Sequence, residues 1–188
     1  MRAVVAAIRS GQLEAEARLV ISNNGECPAL AFARAVGLPS RHISATTEGG
    51  AEAADIAIAD AMQAAGAELI VLSGYMRKLG PETLQRFVGR ILNIHPALLP
   101  AHGGHGLYGR RVHDAVKAAG DLVSGATVHV ADDEYDTGPI LAQRAVQLDV
   151  GDSVEDIERK VTAIEPGLFV ETLREIASGA LALPDPGL

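Results

Sequence analysis

Cysteine is almost absent from this 188-residue chain. Cys27 stands alone, so no intrachain disulfide can form, and a reducing cytoplasm fits. Long apolar runs are missing too: no stretch approaches the roughly eighteen residues needed to cross a bilayer. The apolar segment at residues 3–8 is too short for a secretory signal and runs into Arg9, so helix is the better reading. Positive charge is scarce. Sixteen Lys and Arg face 24 Asp and Glu, and the formal net charge of −8 argues against binding nucleic acid or anionic membranes. Any anionic substrate must then be held by local donors. No internal repeat or linker divides the chain. What is present is apolar material: 48% hydrophobic composition over 188 residues suffices for one domain with a substantial core.

Through the first half, helical and strand patterns alternate. Residues 2–10 read as a helix stopped by Gly11, residues 17–22 as a strand, and Asn23-Asn24-Gly25 as a turn. A helix over 28–36 starts on Pro28 and ends at Gly37, followed by a short strand over 41–44. After a loop at 48–50, an alanine-rich helix spans 51–65, a buried strand 69–73, and a short helix 81–87. This alternation is the signature of a parallel α/β sheet, doubly wound by the right-handed crossover rule. Beyond Pro100 the pattern changes. Residues 110–119 read as a helix, and strands at 126–130 and 140–148 lie too close for a helical crossover, which predicts an antiparallel pair. A last long helix opens at Asp152 or Ser153 and is interrupted or re-aimed at Pro166-Gly167.

The stretch Ile91-Leu92-Asn93-Ile94-His95-Pro96 reads as a buried strand ended by a proline. Alternation along it places Asn93 and His95 on one side at the carboxyl end, where ligands collect in open α/β sheets. An amide donor beside an imidazole suits oxyanion stabilisation and proton transfer. Taken alone, Asn-x-His before proline is more often a plain strand-end turn. His102, His105 and His113 invite a metal reading, but no Cys or carboxylate has the regular spacing that zinc requires, so none is assigned. Gly103, Gly104, Gly106 and Gly109 let that loop approach a ligand closely, and Arg110 and Arg111 are phosphate candidates or helix-face charges.

About thirty residues after the first motif, Ser124-Gly125-Ala126-Thr127-Val128-His129 leads into Asp133-Glu134-Tyr135-Asp136-Thr137-Gly138-Pro139. The two motifs together resemble the folate-dependent formyltransferase family, and within it the glycinamide ribonucleotide formyltransferases of purine synthesis. The resemblance covers nearly the whole chain. It implies a Rossmann-like, doubly wound, mostly parallel sheet with an antiparallel C-terminal part, forming one formyltransferase domain over residues 1–188. It implies formyl transfer from 10-formyltetrahydrofolate to the amine of glycinamide ribonucleotide, without metal. His95 becomes general acid/base, Asn93 the oxyanion donor, and Asp136 the carboxylate that raises the His95 pKa. The folate-contacting stretch corresponds to Met76, Arg77, Lys78 and Leu79, with Asn93 beside it. Asp132, Asp133, Glu134, Tyr135 and Asp136 correspond to the other wall. His129, Thr162 and Glu165 fall on the substrate side. Small-molecule partners, a monomer or homodimer, and a cytoplasmic protein follow from the same resemblance.

Departures are visible. The family begins with a strand and a Gly-Ser-Asn phosphate loop, whereas this sequence begins where the following helix starts. An N-terminally truncated form is therefore expected, with weak ribonucleotide binding. The His and Pro that follow the family's glutamate are lost at Pro166 and Val170, and no folate-side arginine stands among residues 51–54. Two further functions resemble relatives of the same motif: a formyltetrahydrofolate hydrolase, and a non-catalytic folate or nucleotide binder.

Overall fold

The computed structural model describes residues 1–185. Its central strand is β4 (Ile91–His95), whose Ile91 and Leu92 are wholly buried. On one side β4 pairs in parallel with the short β3 (Ile70–Val71), with Ile70 opposite Ile91. On the other it runs antiparallel to β5 (Val123–Val130), which in turn pairs antiparallel with β6 (Ile140–Gln147). The nine-residue connection between β5 and β6 excludes a helical crossover, as the sequence predicts. Alternation along β5 sends Ala126, Val128 and Val130 into the main core. There they meet Ile157, Val161, Leu168, Phe169 and Leu173 of the long helix α7 (Val154–Ala177). The opposite face of β5 carries Thr127 and His129 towards the candidate site.

The N-terminal half supplies α1 (Arg2–Arg9), β1 (Val20–Ser22), α2 (Pro28–Ala35) and β2 (Ser40–His42). Strands β1 and β2 form a separate two-stranded parallel sheet, so the α/β fold carries its strands in two pieces. An apolar groove of about 860 Å³ lies between them, walled by Val5, Ile8, Ile21, Ile70, Val71 and Ile176. It lies away from His95 and Asp136. Ser44 ends β2 early by capping a short helix, α3 (Ala45–Glu48), through reciprocal bonds with Thr47.

Helix α4 (Ala51–Ala64) packs Ala54, Ile58 and Ala61 against Ile43. The same helix buries Asp55, whose carboxylate accepts the Glu82 N–H (2.8 Å), the Thr83 N–H (3.2 Å) and the Thr83 hydroxyl (2.6 Å). A buried carboxylate needs such donors, and here they are the orphan amides of α5 (Pro81–Arg86). Asp55 therefore caps α5 from a distance and fixes the end of the loop at 72–80. Gly80 is obligatory beside it, since an added Cβ would lie 2.3 Å from the Asp55 carboxylate. Helix α6 (Arg110–Ala119) follows the glycine-rich loop and buries Val112, His113 and Val116.

One expectation fails in α7. The helix is continuous through Pro166, opened by a Ser153–Asp156 capping box. Pro166 and Gly167 lie on its exposed side, while Ile157 and Val161 before them and Leu168, Phe169 and Leu173 after them enter one core cluster. Each such side chain contributes about 1.5–3 kcal/mol on burial, which outweighs the proline's cost of about 3 kcal/mol.

Candidate active site

Strand β4 presents Asn93 and His95 two residues apart, and antiparallel β5 sets His129 opposite Asn93 and Thr127 opposite His95. Thr127 pins the turn that follows β4. Its hydroxyl donates to the Ala97 carbonyl (2.7 Å) and accepts the Leu99 N–H (3.0 Å). The β5–β6 loop then brings Asp136 over the pair. Its backbone is left-handed (φ +60°), and Gly138 allows the loop to lie against β5 because a Cβ there would stand 1.9 Å from the Val130 carbonyl oxygen.

The result is a connected polar network in a nearly closed site. Asp136 Oδ2 lies 3.4 Å from His95 Nδ1, and Asp136 Oδ1 lies 3.5 Å from His129 Nε2. Asp136 Oδ2 also accepts the Gly104 N–H at 2.9 Å. His95 Nε2 donates to the His102 carbonyl at 2.9 Å. A carbonyl only accepts, so the proton of neutral His95 sits on Nε2 and the lone pair of Nδ1 faces Asp136. The same logic applies to His129, whose Nδ1 donates to the Val130 carbonyl (3.0 Å) and whose Nε2 accepts from Asn93 Nδ2 (3.1 Å). That contact orients the Asn93 amide and leaves its second N–H free for a ligand oxygen.

Burial opposes the rise in the His95 pKa that Asp136, as expected, contributes. Burial pushes the His95 pKa down, and Asp136 and the His102 carbonyl, which both pull it up, do not compensate, so His95 lies below its ordinary value. Its side chain is only 4% exposed, which is why desolvation dominates the nearby carboxylate. For Asp136, burial would raise the pKa, but the His129 contact, the Gly104 N–H and His95 outweigh it and hold the carboxyl below its ordinary value.

Beside Asn93 and His129 a small cavity of about 90 Å³ is walled by Leu72, Tyr75, Arg77, Lys78 and Leu79 on one side. Asp132, Glu134, Tyr135 and Asp136 form the other wall. Met76, 65% exposed, and the exposed Asp133 do not line the cavity. Tyr135 joins three loops, with the Lys78 ammonium 5.5 Å from its ring centre and the His105 ring edge-on at 5.6 Å. Thr162 is exposed and Glu165 half-buried on α7; among the described residues, neither is hydrogen-bonded to the His95 network. Burial, then the neighbouring Glu158, raises the Glu165 pKa. Arg110 pairs with Glu155 and Arg111 stacks over Tyr108. The three loop and helix histidines diverge. His102 turns to Asp121, His105 to Tyr135, and His113 is buried in α6 with Nδ1 unpartnered among the described residues. Among the described residues no group of three or more His, Cys, Asp or Glu side chains is arranged to hold a metal ion.

Reading the sequence missed the His102 carbonyl, the Gly104 amide and Asp55. The first two are backbone groups and carry no residue signal. Asp55 does carry one, as an acid set among the apolar positions Ala54 and Ile58 of α4.

The model of the formyl transferase family matches residues 1–173. The chain belongs to that family. Among curated relatives, this formyltransferase-family chain is 36% identical to the chloroplastic phosphoribosylglycinamide formyltransferase of Arabidopsis thaliana over 95% of its length, spanning 61% of the plant protein. A second plant relative, from Vigna unguiculata, is spanned to 56%. The phosphoribosylglycinamide formyltransferase of Haemophilus influenzae is 34% identical over 98% of this chain and is spanned to 85%. Among solved structures, the glycinamide ribonucleotide transformylase 1 of Symbiobacterium toebii superposes with a TM-score of 0.89 at 34% identity, covering 98% of this chain and 85% of that one. Among the described residues no helix is long and apolar enough to cross a membrane.

Proposed function

We propose that residues 1–188 form one formyltransferase domain that moves a formyl group from 10-formyltetrahydrofolate to the primary amine of glycinamide ribonucleotide, as a cytoplasmic enzyme of purine synthesis. The observation that carries this reading is the Asn93–His129–Asp136–His95 network, formed at strand ends in a chain of this family. The folate carrier supplies the one-carbon unit; the protein supplies position, charge and a proton path. Its ring system is assigned to the cleft between the 72–79 and 131–136 loops, where a small cavity is lined in part by Asn93. The basic rim at Arg77 and Lys78 suits a carboxylate-bearing tail.

His95 begins neutral, with Nδ1 free to take the proton that the attacking amine sheds. Asp136, held ionised 3.4 Å away, stabilises the imidazolium that results. The free N–H of Asn93 donates to the formyl oxygen as charge develops on it; losing one such donor costs about 10²–10³ in turnover. The imidazolium then returns its proton to the departing nitrogen. Thr162 and Glu165 on α7 offer a hydroxyl and a carboxylate to the ribonucleotide's sugar.

The test is tetrahydrofolate release with and without glycinamide ribonucleotide, in the natural chain and in His95→Asn and Asn93→Ala variants. Release that requires the ribonucleotide and collapses in both variants supports the transferase. Release without an amine identifies a formyltetrahydrofolate hydrolase. Tight folate binding with no release identifies a non-catalytic binder and overturns the proposal.

A further inference from the structure

We propose that Asp121, outside the candidate active site, is a positioning residue that sets the His95 ring by anchoring His102; this rests on the transferase reading above. Residues 102–104 clamp both halves of the proton-transfer pair. The His102 carbonyl takes the His95 Nε2–H at 2.9 Å, and the Gly104 N–H reaches Asp136 Oδ2 at 2.9 Å. Gly103 fits between with no room to spare: a Cβ there would lie 2.4 Å from Leu99 Cδ2 and 3.3 Å from the Asp136 Cβ.

This clamp has little rigidity of its own. Gly103, Gly104, Gly106 and Gly109 leave the backbone loose, and His102 is held in the left-handed region (φ +55°), which a non-glycine residue occupies only under constraint. The constraint is visible. His102 Nε2 donates to Asp121 Oδ2 at 2.6 Å, tying the loop to the end of α6. Asp121 directly follows Gly120, the C-cap of α6, where the helix dipole favours a cation and disfavours a carboxylate. An acid placed against its local electrostatics, with the His102 ring as its side-chain partner, is explained by the anchor and by nothing in the helix. The anchor fixes the His102 carbonyl, the carbonyl fixes the proton of His95 on Nε2, and Nδ1 is thereby kept as the base.

The experiment compares Asp121→Ala, Asp121→Asn and His102→Asn. Asparagine tolerates the left-handed backbone at 102 but does not span to Asp121. At 121 it retains an acceptor oxygen. Asp121→Ala and His102→Asn are expected to lower kcat about ten- to a hundredfold, the cost of misplacing a catalytic group by a fraction of an ångström to an ångström, with both KM values within about twofold. The double variant His102→Asn/Asp121→Ala is expected to be no worse than either single one, and Asp121→Asn to recover most of kcat. In parallel, the His95 Nε2–H proton resonance, assigned by its loss in His95→Asn, is read in the free protein. It is expected to be sharp in the natural chain and exchange-broadened in Asp121→Ala. Retention of that resonance in Asp121→Ala overturns the proposal, as does an additive double variant. A resonance that depends on Asp121 in a protein without ribonucleotide-dependent release upholds the anchor and overturns the transferase reading instead.

Discussion

Asp55 and Gly80 form a contact whose energetics can be separated by a double-mutant cycle. Gly80 has φ −83° and ψ 172°, an ordinary extended conformation, so alanine there meets no backbone penalty. By unfolded-state entropy alone, Gly80→Ala would stabilise by about 0.4–1 kcal/mol. The Asp55 carboxylate reverses that sign. A new Cβ would lie 2.3 Å from Asp55 Cγ and Oδ2 and 2.8 Å from its Cβ, and forcing it in costs about 1–3 kcal/mol. Asp55→Ala removes the long-range cap of α5, worth about 1–2 kcal/mol. The wholly buried Thr83 hydroxyl loses its 2.6 Å bond but keeps the residue-55 backbone carbonyl as an acceptor at 3.2 Å, which adds about 0.5–1.5 kcal/mol. A total of about 1.5–3.5 kcal/mol follows. In the alanine background only the 2.8 Å contact survives, so Gly80→Ala should cost about 1–2 kcal/mol less than it does alone. Urea denaturation of the four proteins at constant m-value reads the coupling directly. Additivity within about 0.5 kcal/mol would refute the close approach and the capping role with it.

Burial opposes the charged form of His95 and holds its pKa below the ordinary value, and Asp136→Asn, which removes an attraction that raises it, should move the midpoint lower still by NMR; a rise would refute the assignment. Since the folded-state pKa is the lower one, the stability linked to His95, and to His113 likewise lowered by burial, is complete at neutral pH and is lost as pH falls from the unfolded value through the folded one. Gly138→Ala must push the β5–β6 loop off Val130 and carry Asp136 with it, so kcat should fall about a hundredfold while folate affinity changes less; unchanged kcat would contradict the packing. Pro166→Ala restores an amide donor on the exposed side of α7 and should stabilise by about 1–3 kcal/mol in a thermal melt, whereas a lowered melting temperature would show that the ring itself packs.

Much of the candidate site's geometry could be read before the fold was seen, because Asn93, His95 and Asp136 are side chains in motifs with fixed spacing. Strand alternation placed the first two correctly, and the nine-residue gap between β5 and β6 made their antiparallel pairing inevitable. Asp136 does pull the His95 pKa up as its place in the motif implies, but spacing does not reveal how little water reaches the ring, and burial carries the net shift down. Met76, placed in the folate-contacting stretch by the resemblance, is exposed in its loop, an orientation that its residue type does not encode. Pro166 misled for a related reason: a local propensity was weighed without the core contacts on both sides that overrule it. The backbone donors and acceptors at His102 and Gly104 depend on loop conformation and have no counterpart in residue type.

The division of the strands between two sheets also partitions motion. Sheet β1–β2 shares no hydrogen-bonded ladder with β3–β6, and its Ile43–Ile58 cluster is distinct from the core beneath α7. Opening of the N-terminal unit therefore need not break a single bond of the β4–β5 ladder that carries Asn93, His95 and His129. Amide exchange around Ile21 and Arg41 can proceed by subglobal excursions while Val128 waits for complete unfolding. Strands β4 and β5 are thus expected among the slowest-exchanging parts of the molecule.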